Sequence, residues 1–294
     1  MKIRIGVGIG PQAELSEFAT IVDDLERENI DSLWLSETLS STQPDPFTGM
    51  TYALARTQRL KVGTGVAVLP GRHPAHVAKQ LTTLAALAPA RVLPVFGLRP
   101  ARRHELAAFP APLGRRAELF DETLRALRLL LTEDDVTFSG EFFRFEHLST
   151  GPKPAKPLDL WLGGAAPEGL RRVGRYADGW LASFITPTAA ELGRRTIETA
   201  AEEAGREIED DHYGLTFAIA FGEIPERLLA FAAARSGKAD PRELIAVGWQ
   251  GARELIERHI DAGLSKFVLR PASSSIPFGR FVEEFTHELL PLQN

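Results

Sequence analysis

Residues 158–183 read LDLWLGGAAPEGLRRVGRYADGWLAS, and this stretch contains the repeating unit of the whole chain. An apolar run of strand length stops at Gly163 and Gly164, an amphipathic stretch follows, and a second apolar run begins at Trp180. A strand, a helix and a second strand in this order are typical of a βαβ unit, in which the two strands are parallel. The stretch therefore predicts a parallel sheet covered by helices.

The same alternation of short apolar runs and longer helical patterns extends in both directions along the chain. It amounts to about eight βα units, the number found in a closed (β/α)8 barrel, or TIM barrel. We therefore predict an α/β fold with a single barrel domain over residues 1–294, and an open doubly wound sheet is the alternative. Pro94 lies inside the fourth predicted strand and removes a backbone donor there, so that strand should be irregular.

Residues 99–157 interrupt this alternation. An amphipathic helix is predicted over residues 115–131, and the sequence VTFSGEFFRF at 136–145 has the pattern of a β-hairpin with its turn near Ser139 and Gly140. We interpret residues 99–157 as an insertion after the fourth strand.

The composition narrows the class of partner. The net charge of -5 and the lack of a long basic cluster argue against binding to nucleic acid or to an anionic membrane. No apolar run approaches the roughly 20 residues of a membrane span, and the N-terminus lacks the pattern of a signal peptide. The absence of cysteine fits a reducing compartment. These features predict a cytoplasmic protein that acts on a small-molecule substrate.

Small residues end most of the predicted strands. In a β/α barrel the functional face lies at the C-terminal ends of the strands. Small side chains there leave room for a broad, flat ligand against the backbone, whereas a hydrolase is expected to present histidines and acids at the same place. The smallest strand-end residues are Gly8, Gly65, Gly97, Gly163, Gly164 and Ser183.

The residues after the fifth strand have the features of an anion site. Gly163, Gly164 and Ala165 lead into a helix that should begin near Pro167, a residue suited to the first helical turn. Unsatisfied amides at a helix start, with no side chains in the way, bind anions through their N–H groups and the helix dipole. Ser183 at the next strand end would add a hydroxyl. The sequence thus indicates a phosphate site, with a simple tight turn as the alternative.

Glu37 is the one carboxylate expected at a strand end. A buried acid at this place would hydrogen-bond a ring N–H of a ligand or take part in proton transfer. The alternative is an ion pair with Arg72 or Arg99. His73 and His76 have a spacing that a metal site could use, but no third ligand is apparent near them, so we predict no metal.

Four stretches taken together resemble the bacterial luciferase-like superfamily, and its branch of coenzyme F420-dependent oxidoreductases is the most similar. They are SLWLSE at 32–37, RTQRLKVGTGVAVLPGRHPAHVAKQLTTLAAL at 56–87, ELFDETLRALRLLLT with VTFSGEFF at 118–143, and the stretch at 158–183. The combination is far more specific than any one of its parts.

The resemblance implies a β/α barrel with an insertion after the fourth strand and a flavin or deazaflavin at the C-terminal mouth. It implies a cis peptide bond between Gly65 and Val66 beneath the ring, and phosphate binding by Gly163, Gly164, Ala165 and Ser183. Gly8 and Gly97 would border the cofactor, and family members are often homodimers. Several F420 enzymes have an acid and a histidine where this chain has Glu37 and Thr38, which would be the catalytic positions.

These implications lead to one main functional hypothesis and two alternatives. The main hypothesis is an F420-dependent oxidoreductase that transfers hydride between the deazaflavin and a small organic substrate. An FMN-dependent monooxygenase is the alternative within enzymes. The third hypothesis is a cofactor-binding protein with little or no turnover, because Thr38 stands where the histidine would be.

Overall fold

The computed structural model describes residues 1–10, 13–273 and 275–294. Its main element is a curled parallel sheet of eleven strands, which are β1 (Arg4–Gly8), β2 (Ser32–Leu35), β3 (Lys61–Thr64), β4 (Ala67–Val68), β5 (Val92–Leu93), β6 (Val95–Gly97), β9 (Trp161–Gly163), β10 (Gly179–Ser183), β11 (Tyr213–Ala220), β12 (Ile245–Val247) and β13 (Lys266–Pro271). A separate antiparallel pair contains β7 (Val136–Ser139) and β8 (Arg144–Leu148).

The order of the strands shows how the sheet curls. Ten strands follow the path β4-β6-β9-β10-β11-β13-β1-β2-β3-β5, and β12 pairs with β11 off this path. The strands at the two ends of this path come from neighbouring stretches of the sequence. β4, at one end of the path, follows β3 after two residues, and β6 follows β5, at the other end of the path, after Pro94. β3 pairs with β5 and β4 pairs with β6.

Two of these features bear on the expectations from sequence. The fourth strand is broken at Pro94, as predicted, and the carbonyl of Pro94 accepts a hydrogen bond of 3.0 Å from the amide of Trp161. Residues 60–69 are rich in β-branched residues, a pattern that predicts one strand, but they form two short strands because the chain between Thr64 and Ala67 leaves the regular ladder. β12 was not predicted, since its three residues give too short a pattern.

Nine α-helices occur in the described residues: α1 (Phe18–Arg27), α2 (Pro46–Arg56), α3 (Pro74–Leu87), α4 (Arg116–Thr132), α5 (Pro167–Tyr176), α6 (Pro187–Glu203), α7 (Glu226–Ser236), α8 (Gly248–Asp261) and α9 (Phe278–Leu289). Short 3-10 helices lie at Leu15–Glu17, Arg103–Ala108, Pro241–Leu244 and Leu290–Leu292. None of the described helices is long and apolar enough to cross a membrane.

Residues between β6 and β9 contain the helix and the hairpin that the sequence predicts. α4 buries Leu119, Leu124, Leu127 and Leu130 along one face, which agrees with the helical spacing of its leucines. The hairpin of β7 and β8 turns at residues 140–143, where the amide of Gly140 donates to the carbonyl of Phe143 at 2.9 Å.

Two layers of apolar side chains hold the sheet. The larger cluster lies between the sheet and the surrounding helices. The smaller one fills the inner face of the curled sheet with bulky side chains, which are Trp34, Val95, Trp161, Leu181 and Val268. Side chains two residues further along each strand also face inward. Those positions, at the C-terminal ends of the strands, form the candidate site.

Candidate active site at the C-terminal ends of the strands

The C-terminal ends of the strands form a shallow opening, which we call the mouth. Its inner wall consists of Gly8, Ser36, Gly65, Val66, Gly97, Gly163, Ser183 and Arg270. Only Val66 and Arg270 in this set have large side chains. The mouth is therefore bounded mostly by backbone, as expected for a surface that receives a flat molecule.

Val66 occupies a gap between two glycines. A Cβ atom on Gly97 would lie 2.6 Å from Cγ2 of Val66, and one on Gly163 would lie 2.7 Å from Cγ1. Both distances are too short for any real side chain, so neither position can hold a larger residue unless Val66 moves. The structure thus brings together three of the predicted cofactor-binding residues, and it gives a packing reason for two of the glycines.

The segment of Gly65 and Val66 is tied to the end of β2 by backbone and hydroxyl groups. The peptide bond between these two residues is cis. The amide of Gly65 donates to the carbonyl of Leu35 at 2.7 Å, and the amide of Glu37 donates to the carbonyl of Val66 at 3.1 Å. The hydroxyl of Ser36 donates to the carbonyl of Gly65 at 2.8 Å. These bonds fix the direction in which the Val66 side chain points.

Glu37 is 4% exposed, and protein donors contact both oxygens of its carboxylate. The amide of Val68 donates to Oε2 at 2.6 Å, and Nη2 of Arg72 donates to Oε1. Burial raises the pKa of Glu37, while the Val68 amide and the Arg72 guanidinium act in the opposite direction. Of the two arginines considered from sequence, the ion pair is made by Arg72.

Thr38 follows directly and is half-buried. Its carbonyl accepts hydrogen bonds from the amide and hydroxyl of Ser41, at 3.2 Å and 2.8 Å. Within the described residues, its hydroxyl makes no hydrogen bond to another side chain or to the backbone. This hydroxyl is therefore available to a ligand.

The segment after β9 has an open backbone. Gly164 has a φ of +106°, which favours glycine, and a Cβ built on it would meet no atom within 4 Å. Its carbonyl accepts a hydrogen bond of 2.6 Å from Nε1 of Trp180. Ala165 is exposed, and α5 begins after Ala166 without a side chain that caps its first amides.

Ser183 ends the neighbouring strand. β10 pairs with β9 with Leu181 opposite Gly163, which places Ser183 two residues beyond that pairing. The residue is half-buried. Glu168 lies in the first turn of α5, where it is exposed and pairs with Arg171.

The family model for luciferase-like monooxygenases matches residues 1–269. The chain belongs to this family. An uncharacterised protein of Mycobacterium tuberculosis is 36% identical over 153 residues, which are 52% of each chain, so the match spans about half the length of this curated relative. An F420-dependent glucose-6-phosphate dehydrogenase of Kineococcus radiotolerans is 23% identical over 95% of this chain and 92% of that enzyme.

A solved structure gives the same fold. The luciferase-like chain superposes on an F420-dependent secondary alcohol dehydrogenase in complex with an F420-acetone adduct with a TM-score of 0.84, at 20% identity and over 100% of both chains. At this identity the likeness establishes the α/β fold with its curled parallel sheet.

Sequence reasoning missed Arg270, which lies near the C-terminal end of β13, at the mouth of this luciferase-like protein. Nη2 of Arg270 donates to the carbonyl of Gly65 at 2.8 Å, and Nη1 donates to the hydroxyl of Ser36. Its aliphatic part covers Gly8, where a Cβ would lie 2.6 Å from Cγ of Arg270. The signal in the sequence was the spacing in FVLRP: Arg270 follows the inward-facing Val268 by two residues.

Two further groups of possible metal ligands occur among the described residues. The rings of His73 and His76 are 5.6 Å apart, and Nδ1 of His73 accepts a hydrogen bond from the amide of Ala75. Glu209, Asp211 and His212 bring three potential ligand atoms within 4.8 Å of one another. The latter group precedes β11 and so lies at the N-terminal end of the strands, where Glu209 is exposed and Asp211 and His212 are half-buried.

A cavity of about 150 Å³ also lies at that N-terminal end, lined among others by Lys61, Trp161 and Lys266. β/α barrels act at the opposite end of the strands. We therefore assign the candidate site to the mouth and not to this cavity.

Proposed function

We propose that this luciferase-like protein is an F420-dependent oxidoreductase, which transfers hydride between the deazaflavin and a small organic substrate. The observation that carries the proposal is the mouth itself, where Val66 projects between two glycines and Arg270 is the one other large side chain of the wall. The sequence match over nearly the full length of an F420-dependent dehydrogenase and the fold shared with a second F420-dependent dehydrogenase support it.

We further propose that residues 1–294 form one domain, a closed (β/α)8 barrel in which 99–157 are an insertion after the fourth strand. The double pairing of β3 with β5 and of β4 with β6 supports closure, because the third and fourth strands of the chain then adjoin along both of their halves. A homodimer in the cytoplasm completes the proposal, and light scattering of the purified protein tests the dimer.

The residues of the mouth fit a flat ring attached to a phosphate. Gly8, Gly65, Val66 and Gly97 would lie against the ring, with Val66 as the supporting side chain. Gly163, Gly164, Ala165 and Ser183 would hold the phosphate. The empty space above Gly164 and the uncapped start of α5 support this assignment.

When bound, the cofactor supplies the carbon that donates or accepts the hydride. The protein would supply position and hydrogen-bonding groups. Glu37 lies beside the Val66 segment, where its carboxylate accepts hydrogen bonds from the Val68 amide of β4 and from Arg72 and so holds both in place. Thr38, where the resemblance implies a histidine in several F420 enzymes, would donate a hydrogen bond from its hydroxyl to the substrate oxygen.

Titration of the purified protein with F420 and with FMN, followed by fluorescence, tests the proposal. We expect F420 to bind with a dissociation constant below about 100 μM, on the order of -5.5 kcal/mol, and more tightly than FMN. Binding of neither cofactor below that concentration would contradict the proposal.

An FMN-dependent monooxygenase is the second candidate, favoured by the family to which the chain belongs. Tight binding of FMN, with oxygen uptake in the presence of a flavin reductant and an organic substrate, would replace the main proposal with this one.

A cofactor-binding protein with little turnover is the third candidate. It is favoured by Thr38 in place of histidine and by a Glu37 carboxylate whose two oxygens are already bonded to the protein. Tight binding of F420 without hydride transfer over a broad panel of alcohols, aldehydes and ketones would support it.

A further inference from the structure

Arg270 combines a positive charge with unused hydrogen-bond donors in the mouth. A guanidinium has five N–H donors. Two of them contact protein acceptors, the Gly65 carbonyl and the Ser36 hydroxyl. Nε is shielded from solvent and has no acceptor among the described residues. Arg270 is half-buried among the strand ends.

Within residues 1–10, 13–273 and 275–294, the charge of Arg270 has no acidic partner. No carboxylate of the described residues lies within 4.0 Å of it, whereas three other cations of the interior are each paired: Arg72 with Glu37, Arg172 with Asp121 and Lys266 with Asp31. Burial lowers the pKa of Arg270 to about 10, so the group is still protonated at neutral pH. A cation withdrawn from water without a counter-charge is unfavourable, and a ligand with negative charge would relieve that cost.

The residues that flank Arg270 leave space for a ligand beside its guanidinium. Gly8 and Gly65 flank it without side chains, and a Cβ on Gly65 would lie 2.9 Å from Nη2. A larger residue at either position would push the guanidinium away. The glycines of the first and third strands therefore serve to bring the backbone, and any molecule lying on it, close to this charge.

We propose that Arg270 binds an anionic oxygen of a molecule held in the mouth. The oxygen has two sources that share this chemistry: a ring oxygen of the bound cofactor, which becomes more negative when the ring gains a hydride, or an acid group of the substrate. The first source rests on the proposed function, and the second does not. In either case Arg270 contacts the ligand directly, through donors that the protein leaves free.

A purely structural role for Arg270 makes a different prediction. If the guanidinium only supported the Gly65 carbonyl, its loss would destabilise the ligand-free protein. That carbonyl already accepts a hydrogen bond from Ser36 at 2.8 Å, so it stays satisfied without Arg270. Replacing an unpaired interior charge by an apolar side chain of similar size should then leave the ligand-free protein as stable as before, or more stable.

The experiment compares Arg270→Met and Arg270→Lys with the wild type and with Arg195→Met. Arg195 is an exposed residue of α6 and controls for the loss of one positive charge. Melting temperatures of the ligand-free proteins are measured first. Dissociation constants for F420 and FMN follow, and then the change in melting temperature with inorganic phosphate, succinate and benzoate.

We expect Arg270→Met to melt at or above the wild-type temperature and to lose about tenfold or more in affinity for its ligand, which corresponds to one charge-assisted hydrogen bond. Arg270→Lys should lose less, and Arg195→Met should lose nothing. Weaker cofactor binding identifies the cofactor as the source of the oxygen. Unchanged cofactor binding with a lost thermal response to the acids identifies the substrate.

Three results would overturn the inference: a ligand-free Arg270→Met that melts well below the wild type or does not fold, cofactor and acid binding that are both independent of Arg270, or equal losses in Arg195→Met. A wild type that binds neither cofactor contradicts the proposed function alone. In that case the response to the three acids decides the inference about Arg270.

Discussion

Gly163 and Gly164 are adjacent in the sequence, but the structure needs them for different reasons. Gly163 faces the mouth, where a Cβ would collide with Val66. Gly164 has open space around its Cα and a positive φ that other residues rarely adopt. The first glycine thus serves packing, and the second serves the backbone turn and the access of a ligand.

Substitution of Gly164 by leucine should weaken cofactor binding while the fold is retained. The side chain would fill the space proposed for the phosphate, and the positive φ would cost roughly 1–2 kcal/mol of stability. Fluorescence titration and thermal melting measure the two effects. Gly169→Ala is the control, because its Cβ also meets no atom and it lies in the same helix start. Equal cofactor affinity in Gly164→Leu and wild type would reduce Gly164 to a turn residue.

At the scale of elements, the hairpin of β7 and β8 depends on a single side chain of α4. Glu122 is 3% exposed and accepts three backbone hydrogen bonds from the hairpin turn, from the amides of Glu141, Phe142 and Phe143 at 2.8, 2.7 and 2.7 Å. A Cβ on Gly140 would lie 2.2 Å from Oε1 of Glu122, so a glycine is required at that turn. The carboxylate thus supplies the hydrogen-bond acceptors for these three turn amides.

Glu122→Gln should lower the free energy of unfolding by about 1–3 kcal/mol, the cost of an unsatisfied buried group. In the variant, the side-chain NH2 at position 122 would face the backbone N–H of Glu141. Two donors would then be in contact without an acceptor between them. Urea denaturation measures the loss. Glu118→Gln on the exposed side of the same helix removes only a surface pair with Arg115 and should cost less than about 1 kcal/mol. Identical midpoints for the two variants would show that the turn is held by other contacts.

At the scale of the whole molecule, one acid joins three strands at the N-terminal end of the sheet. Asp31 precedes β2 and lies 2.8 Å from Nζ of Lys61, 3.7 Å from Nζ of Lys266 and 3.7 Å from Nε of Arg4. Burial alone would raise the pKa of Asp31, but Lys266 and Lys61 outweigh burial and lower it below its ordinary value of 3.8. The ionised form is therefore favoured in the folded state.

This shift fixes the sign of a pH dependence. Since the pKa is lower in the folded than in the unfolded chain, the contribution of Asp31 to stability is fully present above about pH 4, and it is lost as the pH falls through the folded value. Asp31→Asn should cost about 3–5 kcal/mol at pH 7, because it leaves Lys266 without its partner. The difference between variant and wild type should shrink as the pH falls below 4. Thermal melts between pH 3 and 8 measure this, and a difference that is constant over that range would contradict it.

Much of the element order was predictable, because apolar periodicity is a local property. α4, the hairpin, the break at Pro94 and the chain of strands and helices follow the sequence. The apolar spacing of residues 11–28 favours one helix over that whole range, but α1 begins at Phe18 after a 3-10 turn, and residues 11 and 12 lie outside the described residues. β12 was missed because three residues give no period.

By itself the sequence determined the βα alternation, the small residues at the strand ends and the family, since each depends on residue types at fixed spacings along the chain. Only the tertiary structure decided which strand ends meet. It placed Val66 between Gly97 and Gly163, paired Glu37 with Arg72, and set Arg270 against Gly8 and Gly65, with no carboxylate of the described part of the chain beside it. Contacts between residues more than 200 positions apart depend on how the sheet curls, and no local pattern encodes that.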